Sequence, residues 1–150
     1  MNEDEKWMNL ALAQARKAEE QGEVPVGAIL IKDGLIIARA HNQPISTNDA
    51  TAHAEIQLIR TAGKKLKNYR LNSTSLYVTL EPCAMCLGAI MHARIDRIIF
   101  GAFDPKTGVC GSCKDLISEV FFNHKIAITG GVLKNDCKKL LQVFFLSKRK

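Results

Sequence analysis

The order in which apolar segments follow one another constrains the fold of this chain more than any other sequence feature. Two strand-like runs, residues 24–32 and 35–41, flank an Asp-Gly dipeptide that is typical of a two-residue hairpin turn. Both runs are apolar at successive positions, which indicates a sheet covered on both faces. From about residue 50 onward, helical and strand patterns alternate, which predicts parallel strands joined by crossover helices. The sequence therefore predicts a mixed sheet between two helical layers.

The individual elements can be placed from their periodicity. Apolar stripes at helical spacing predict helices over residues 7–18, 52–62, 83–93, 115–122 and 133–144. Short apolar runs predict further strands over residues 76–80, 97–101 and 126–129. Gly22 marks the end of the first helix, and Pro82 suits the start of the helix over 83–93. Residues 102–112 are predicted to form a loop.

Length and composition indicate one globular domain over residues 1–150. A chain of 150 residues has the size of a single domain, and 47% apolar with 24% charged residues excludes a disordered class. The longest apolar run, residues 83–91, is too short to cross a bilayer, so no membrane partner is expected. The acidic first residues have no apolar segment behind them, which predicts a cytoplasmic protein without a secretory signal.

The charge is unevenly distributed along the chain. The formal net charge is +6, yet the first 23 residues carry six acidic and only three basic side chains. The positive excess therefore lies in residues 24–150. A basic body of this kind favours a polyanionic partner such as nucleic acid, although many proteins are mildly basic without one.

Two short motifs supply the residue types of a catalytic metal site. Glu55 follows His53 by two residues, and Cys86 follows Cys83 by three. One imidazole and two thiols form a zinc ligand set that leaves the fourth position open. Each motif opens a predicted helix, where free N–H groups stabilise a thiolate. Because residues two apart do not share a helix face, Glu55 is expected to carry protons beside the metal and not to bind it.

The combination of H-x-E with P-C-x-x-C is the known signature of zinc-dependent nucleobase deaminases. Over about residues 5–147 the chain resembles, more specifically, the bacterial tRNA-specific adenosine deaminase family of the cytidine deaminase superfamily. The resemblance rests on residues 22–28, 41–42, 51–55, 68–71, 76–86, 94–95, 100–102, 104, 106, 108, 123–124 and 144–145.

The resemblance implies both a fold and a reaction. The fold would be an α/β class, three-layer α/β/α sandwich with a five-stranded mixed sheet, in a homodimer with a shared active site. The reaction would be hydrolytic deamination of adenosine to inosine at the wobble position of a tRNA anticodon, in bacteria that of arginine tRNA. One Zn²⁺ per subunit would be held by His53, Cys83 and Cys86. Glu55 would carry protons between the attacking water, the ring nitrogen and the leaving ammonia.

The resemblance also assigns residues around the base. Asn42 matches a position that hydrogen-bonds the base, while Val26 and the backbone of Ala54 match the pocket wall. Read from the residues alone, Asn42 is equally typical of a turn.

The residues expected to contact RNA carry a charge or an exposed ring: Asp104, Lys106, Phe145, Lys148 and Arg149. Exposed aromatic rings can stack on unpaired bases, and basic side chains can contact phosphates. From the residues alone, a solvated loop, a frayed basic C-terminus and core packing of the ring are the alternatives.

A second C-x-x-C motif, Cys110 and Cys113, departs from the family pattern. With Cys83 and Cys86 it could close a four-cysteine structural zinc site, which would make the chain a binding module instead of an enzyme. The 23 residues between Cys86 and Cys110 are long for such a site. A redox switch or disulfide at Cys110 and Cys113 is another alternative, which a reducing cytosol disfavours.

Two expectations about partners remain open at this point. Within the enzyme class, a deaminase of free guanine, cytosine or nucleosides is the alternative, but such an enzyme needs no basic exterior. The helix over 83–93 is the expected dimer contact together with the loop over 102–112, because Leu87, Ile90 and Met91 carry more apolar surface than zinc binding requires.

Overall fold

A computed structural model describes residues 1–119 and 124–148 of the chain. In this part of the chain the elements are α1 (Glu3–Glu20), β1 (Gly27–Lys32), β2 (Leu35–His41), α2 (Pro44–Thr47), α3 (Ala54–Leu66), β3 (Ser75–Leu80), α4 (Ala84–Ala93), β4 (Arg97–Ala102), β5 (Ala127–Thr129) and α5 (Lys134–Lys148). None of the helices described is both long and apolar enough to cross a membrane.

The strands form one mixed sheet in the order β2-β1-β3-β4-β5. β1 is antiparallel to both β2 and β3, whereas β3, β4 and β5 are parallel to one another. Asp33 and Gly34 both have positive φ, as a tight hairpin turn between β1 and β2 requires. The predicted mixed sheet of five strands and its antiparallel hairpin are confirmed.

Helices cover both faces of the sheet and divide the core into two layers. On one face, α1 and α5 bury apolar side chains against the strands, among them Trp7, Leu12, Ile29, Ile99 and Cys137. On the other face, α3 and α4 bury a second set, among them Leu58, Leu76, Leu87, Ile90 and Ile98. Apolar residues at successive strand positions therefore serve two separate core layers.

The first layer is held close to the sheet by steric fit and by charge. A Cβ atom at Gly27 would collide with the backbone of Ala11 and Ala15, so α1 packs directly on β1. The Asp4 carboxylate accepts two hydrogen bonds from the Arg97 guanidinium, at 3.1 and 2.7 Å, and one from the Tyr77 hydroxyl at 2.7 Å. These bonds attach the start of α1 to β3 and β4.

The structure corrects some of the predicted element boundaries. The first strand begins at residue 27 instead of 24, because the Val26 amide turns back to the Val24 carbonyl at 2.8 Å. The helix predicted over 52–62 spans 54–66, and the short α2, with Pro44 in its first turn, was not predicted.

Two further expectations are corrected. The helix predicted over 115–122 is wrong for residues 115–119, where Asp115 bridges to Cys110 and a turn follows; residues 120–122 lie outside the described part. Leu87 and Ile90 are fully buried in the chain's own core, so they cannot form a dimer contact. Of the three residues proposed for that contact, only Met91 is partly exposed.

Candidate active site

The N-termini of α3 and α4 meet beyond the end of β3. His53 is the N-cap residue of α3, and Cys83 is the N-cap residue of α4, with Cys86 in the first turn. Cys83 follows β3 by only three residues, so the sheet fixes where α4 begins. The positive ends of two helix dipoles therefore lie beside the two sulfur atoms.

The distances from His53 to the two cysteine sulfur atoms are those that a tetrahedral zinc ion requires. The His53 Nδ1 atom lies 3.7 Å from Cys83 Sγ and 3.5 Å from Cys86 Sγ, and all three atoms lie within 4.8 Å of one another. Two ligands of tetrahedral zinc, at bond lengths of about 2.0–2.3 Å, lie about 3.5–3.8 Å apart. Among the residues described, this is the only group of three or more metal-ligating side chains so close together.

The ionisation of the two thiols also suits a soft cation. Hydrogen bonding from the Cys86 thiol, together with His53, lowers the pKa of Cys83 to about 4. The same Cys83 sulfur raises the pKa of Cys86 and, through a hydrogen bond, that of His53. The lowered pKa of Cys83 favours the thiolate form, and thiolate is the form in which cysteine binds a metal ion.

Glu55 lies in the first turn of α3 and is only 4% exposed. Burial raises the pKa of its carboxyl to about 7, and the negative charge on Cys83 acts in the same direction. A carboxyl group with a pKa near neutral can both accept and release a proton during a reaction.

Glu55 lines a small cavity of about 200 Å³. Its apolar wall consists of Val24, Val26 and Leu80. Its polar wall consists of Asn42, His53, Glu55, Glu81, Cys83, Asp104 and Thr107. A volume below the range of about 300–1,000 Å³ typical of pockets for whole drug-sized ligands fits one planar ring system of a larger substrate.

Asn42 lies at the cavity with its amide orientation fixed. Its Oδ1 atom accepts a hydrogen bond from the Ala54 amide at 2.7 Å, and its own backbone amide donates to the Val26 carbonyl at 3.0 Å. Since the oxygen is engaged, the Nδ2 group is the part of the side chain that can donate to a ligand. Ala54, expected in the pocket wall, is fully buried and lies behind Asn42.

Three of the residues proposed for RNA contact, Asp104, Lys106 and Phe145, lie at or beside this cavity. Residues 103–113, here called the wall loop, carry Asp104 and Lys106. A groove of about 320 Å³ adjoins the cavity and is lined by Lys106, Phe103 and Phe145, of which Phe145 is 45% exposed. Lys148 lies farther along α5, with its Nζ 5.5 Å from the Phe144 ring centre, and Arg149 lies outside the described residues.

Within the wall loop, Asp104 has a role in the loop itself. Its carboxylate accepts hydrogen bonds from the amides of Lys106 and Thr107, at 3.0 and 3.2 Å, and from the Thr107 hydroxyl at 2.8 Å. These bonds engage both carboxylate oxygens within the loop. Contact of Asp104 with RNA stays a prediction.

Cys110 and Cys113 lie in the wall loop and outside the metal-ligating group. Cys110 is half-buried, and burial raises the pKa of its thiol to about 12, while Cys113 is exposed. The four-cysteine alternative is therefore not formed by the residues that the structure describes.

Two residues at the site were missed by the sequence analysis. Phe103 is 51% exposed beside Phe145. Glu81 is a buried carboxylate that lines the cavity and accepts hydrogen bonds from the wall loop. Only the position of Glu81 directly before Pro82 and Cys83 could have drawn attention to it, because a charged residue at a strand end is ordinarily solvated.

Comparison with known proteins identifies the family. Residues 2–149 match the model of the MafB19-like deaminase family. A tRNA-specific adenosine deaminase of Bacillus subtilis is 47% identical over 150 residues, covering all of this chain and 93% of that protein. One from Haemophilus influenzae is 49% identical over 147 residues, covering 97% of this chain and 85% of that protein. The chain belongs to the tRNA-specific adenosine deaminase family. It is therefore an enzyme of the deaminase class.

Solved structures of deaminases share this fold. One from studies of A-to-I editing by tRNA:A34 deaminases at the wobble position of transfer RNA superimposes with a TM-score of 0.88 at 45% identity, covering 91% of this chain and 99% of that chain. A guanine deaminase of Bacillus subtilis gives a TM-score of 0.64 at 42% identity, covering 69% of this chain and 66% of that chain. The cytidine-deaminase-like fold predicted for this member of the tRNA-specific adenosine deaminase family is confirmed.

Proposed function

We propose that this deaminase hydrolyses the amino group of adenosine at the wobble position of a tRNA anticodon, that of arginine tRNA in bacteria, to give inosine and ammonia. One observation carries the proposal: the zinc-type ligand set, a buried carboxyl and a free amide donor share one cavity sized for a single planar ring system. The relatives whose names state tRNA-specific adenosine deaminase support the substrate.

His53, Cys83 and Cys86 would hold one zinc ion per chain. Their donor atoms have the chemistry and the spacing of a catalytic zinc site with an open position. When bound, zinc supplies a Lewis acid that polarises water and lowers the pKa of that water toward neutral.

Glu55 is the proposed proton carrier. Its carboxylate takes a proton from the attacking water and delivers it to the adjacent ring nitrogen of the base. It then transfers the second proton of that water to the amino group, which leaves as ammonia from the attacked ring carbon. The raised pKa of Glu55, about 7, suits both the accepting and the donating step.

Asn42 and Val26 are proposed to orient the base. The Asn42 Nδ2 group donates toward the cavity because its oxygen is held by the Ala54 amide. Val26, 4% exposed, provides an apolar surface at the cavity for the face of the ring.

An anticodon loop fits the surface around the cavity. A base must leave its stack before a catalytic group can reach it, and loop bases are already unpaired. Phe145 offers an exposed ring at the mouth, and Lys106, Lys148 and Arg149 are proposed to contact phosphates. Binding should weaken with rising salt, so log affinity against log salt has a negative slope. Exchange of these three basic residues for Gln should make that slope less steep by about 2. The matched control exchanges the exposed Lys6, Arg16 and Lys17 of α1 for Gln. A salt-independent affinity of the parent protein would contradict RNA binding.

The experiment that tests the substrate uses in vitro transcribed arginine tRNA with adenosine at the wobble position. We expect inosine at that position alone, and no product from the same tRNA with guanosine there. Free adenosine, guanine and cytidine run alongside as competing substrates. Guanine is included because the chain is similar to a guanine deaminase. Faster turnover of free guanine than of the tRNA would favour the alternative of a free-base deaminase.

We also propose a cytoplasmic homodimer with a shared active site. Met85, 38% exposed, and the partly exposed Met91 lie on α4 beside the metal-ligating residues and are the proposed contact. Sedimentation at micromolar concentration should give dimers, and Met91→Glu should give monomers with little activity on tRNA. Lys17→Glu on α1 is the control. A monomeric parent protein that edits at full rate would contradict the shared site.

A further inference from the structure

The wall loop is attached to the rest of the molecule through one buried carboxylate. Glu81 follows β3 directly and is 2% exposed. Its Oε1 atom accepts hydrogen bonds from the Asp104 amide at 3.0 Å and from the Ser112 hydroxyl. Its Oε2 atom accepts from the amides of Cys110 and Ser112, at 2.9 and 3.1 Å. All four donors belong to the wall loop.

No cation shares this carboxylate in the part of the chain that the structure describes. The ion pairs found there join other residues, so the N–H and O–H dipoles of the wall loop alone compensate the charge of Glu81. A wall loop that moved away would leave a buried charge without hydrogen bonds, which is costly. The carboxylate therefore favours one position of the loop over the others.

That position determines one side of the cavity. Asp104 and Thr107 line the cavity, and the Asp104 carboxylate holds Thr107 in place. The wall loop has a second attachment at Val109, whose amide donates to the Pro82 carbonyl at 3.1 Å and whose side chain is buried. Glu81 and Val109 together hold the loop against the segment that carries the metal-ligating cysteines.

Gly108 gives an independent sign of the same arrangement. A Cβ atom at this position would lie 2.5 Å from Glu81 Cδ and 2.6 Å from both Glu81 Oε1 and the Asp104 carbonyl oxygen. The backbone of Gly108 is not in the left-handed region, so a glycine is needed there for space and not for conformation. The wall loop is thus built to approach the carboxylate closely.

We infer that Glu81 is a positioning residue that, through Asp104 and Thr107, sets the outer wall of the cavity and so the affinity for the nucleotide. The inference rests on the proposed function for its substrate. Glu81 would not hold the metal or move protons. Its loss should therefore raise KM for RNA and leave the metal content and kcat close to those of the parent protein.

The test combines Glu81→Gln with Gly108→Ala, the double variant and the control Glu20→Gln on the exposed end of α1. Gln keeps the size of the side chain but turns an NH₂ group toward N–H donors. We expect amide hydrogen exchange over residues 103–113 to accelerate about tenfold and KM for an anticodon stem-loop to rise about tenfold in both single variants. Since both variants disturb the contact between Glu81 and the wall loop, the double variant should raise KM by less than the product of the two single effects.

Unchanged exchange over residues 103–113 would overturn the inference, and so would an unchanged KM or loss of zinc in the single variants. If Glu81→Gln does not fold, Gly108→Ala and Glu81→Asp provide the same measurements. Hydrogen exchange needs no substrate. A parent protein inactive on the stem-loop would therefore count against the proposed function, while the exchange data would still decide the role of Glu81.

Discussion

The two sides of the cavity are built in different ways. One side consists of the N-termini of α3 and α4, whose helices bury Leu58 and Leu87 completely in the core. The other side is the wall loop, whose backbone amides converge on the single carboxylate of Glu81. All the groups proposed for the chemistry lie on the first side, and most groups proposed for RNA contact lie on or beside the second.

The difference indicates a division of tasks. Groups that must hold a metal ion or move a proton need fixed positions, which regular elements in a packed core provide. Groups that recognise a larger substrate are commonly placed on loops at the surface of such a scaffold. Changes on the helical side should therefore affect metal content, kcat or stability, whereas changes in the wall loop should affect KM.

The largest effect is expected from removal of a proposed metal ligand. Cys83→Ala should lose zinc and deaminase activity together, because a catalytic zinc site is typically held by three protein ligands and this variant keeps only two. Metal analysis and inosine formation measure the two losses. The matched control exchanges Cys110 and Cys113 of the wall loop for Ser and should keep about one zinc ion per chain. Loss of zinc from that control would favour the alternative in which all four cysteines bind the metal ion.

A smaller but still large effect is expected at Glu55. Glu55→Gln should keep its zinc and its fold while kcat falls about 10²- to 10⁴-fold, the range for loss of a general acid–base group. Pre-steady-state kinetics with a stem-loop substrate measures this fall. A variant that retains full kcat, or that releases zinc, would show that Glu55 has been assigned the wrong role.

The close packing of α1 on β1 offers a test of stability without a change in chemistry. Gly27→Ala inserts a methyl group against the backbone of Ala11, so we expect a loss of about 3 kcal/mol in the free energy of unfolding. Urea denaturation measures the loss. Gly88→Ala, at a position with open space, is the control and should not destabilise. Equal stability of the two variants would mean that α1 lies farther from the sheet than described.

The smallest effect is expected at Asp4. The hydrogen bonds from Arg97 lower the pKa of the Asp4 carboxyl below its ordinary value. Its stabilisation is therefore fully present above the unfolded pKa of about 4 and is lost as the pH falls through the lower folded value. Asp4→Asn should reduce the free energy of unfolding by about 1 kcal/mol at pH 6, and the difference should shrink below pH 4.

Denaturation curves at several pH values measure this difference. Asp33→Asn, in the exposed hairpin turn, is the control and should change the free energy of unfolding at pH 6 by less than Asp4→Asn does. A gap between Asp4→Asn and the parent protein that widens on acidification would contradict the ion pair. Neither substitution should alter KM, in contrast to the wall-loop variants.

The regular elements could be predicted from the sequence because their signals are local. Alternating apolar patterns and the Asp33-Gly34 dipeptide predict the hairpin and the mixed sheet, and the structure confirms both. The grouping of His53 with Cys83 and Cys86 followed from motif spacing and from the position of each motif at a helix start. These features depend on short stretches of chain, where side-chain type and periodicity carry the information.

The wall loop could not be predicted because its structure depends on distant contacts. Glu81 holds amides 23 to 31 residues farther along the chain, and nothing in the local sequence shows that pairing. A contact outside the predicted segment also explains why the helix predicted at 115–119 is wrong. Asp115 pairs with Cys110 and does not start a helical turn. Burial of Leu87 and Ile90 likewise depends on the sheet beneath α4 and not on the helix alone.

The most direct test of the account follows inosine formation at the wobble position of an arginine anticodon stem-loop in a single turnover. The same protein sample is measured as purified, after chelation, and after zinc is restored. We predict inosine in the first and third samples, none in the second, and about one zinc ion per chain in the active samples. Inosine formation at full rate in the chelated sample, or an intact adenosine in the presence of bound zinc, would contradict the account.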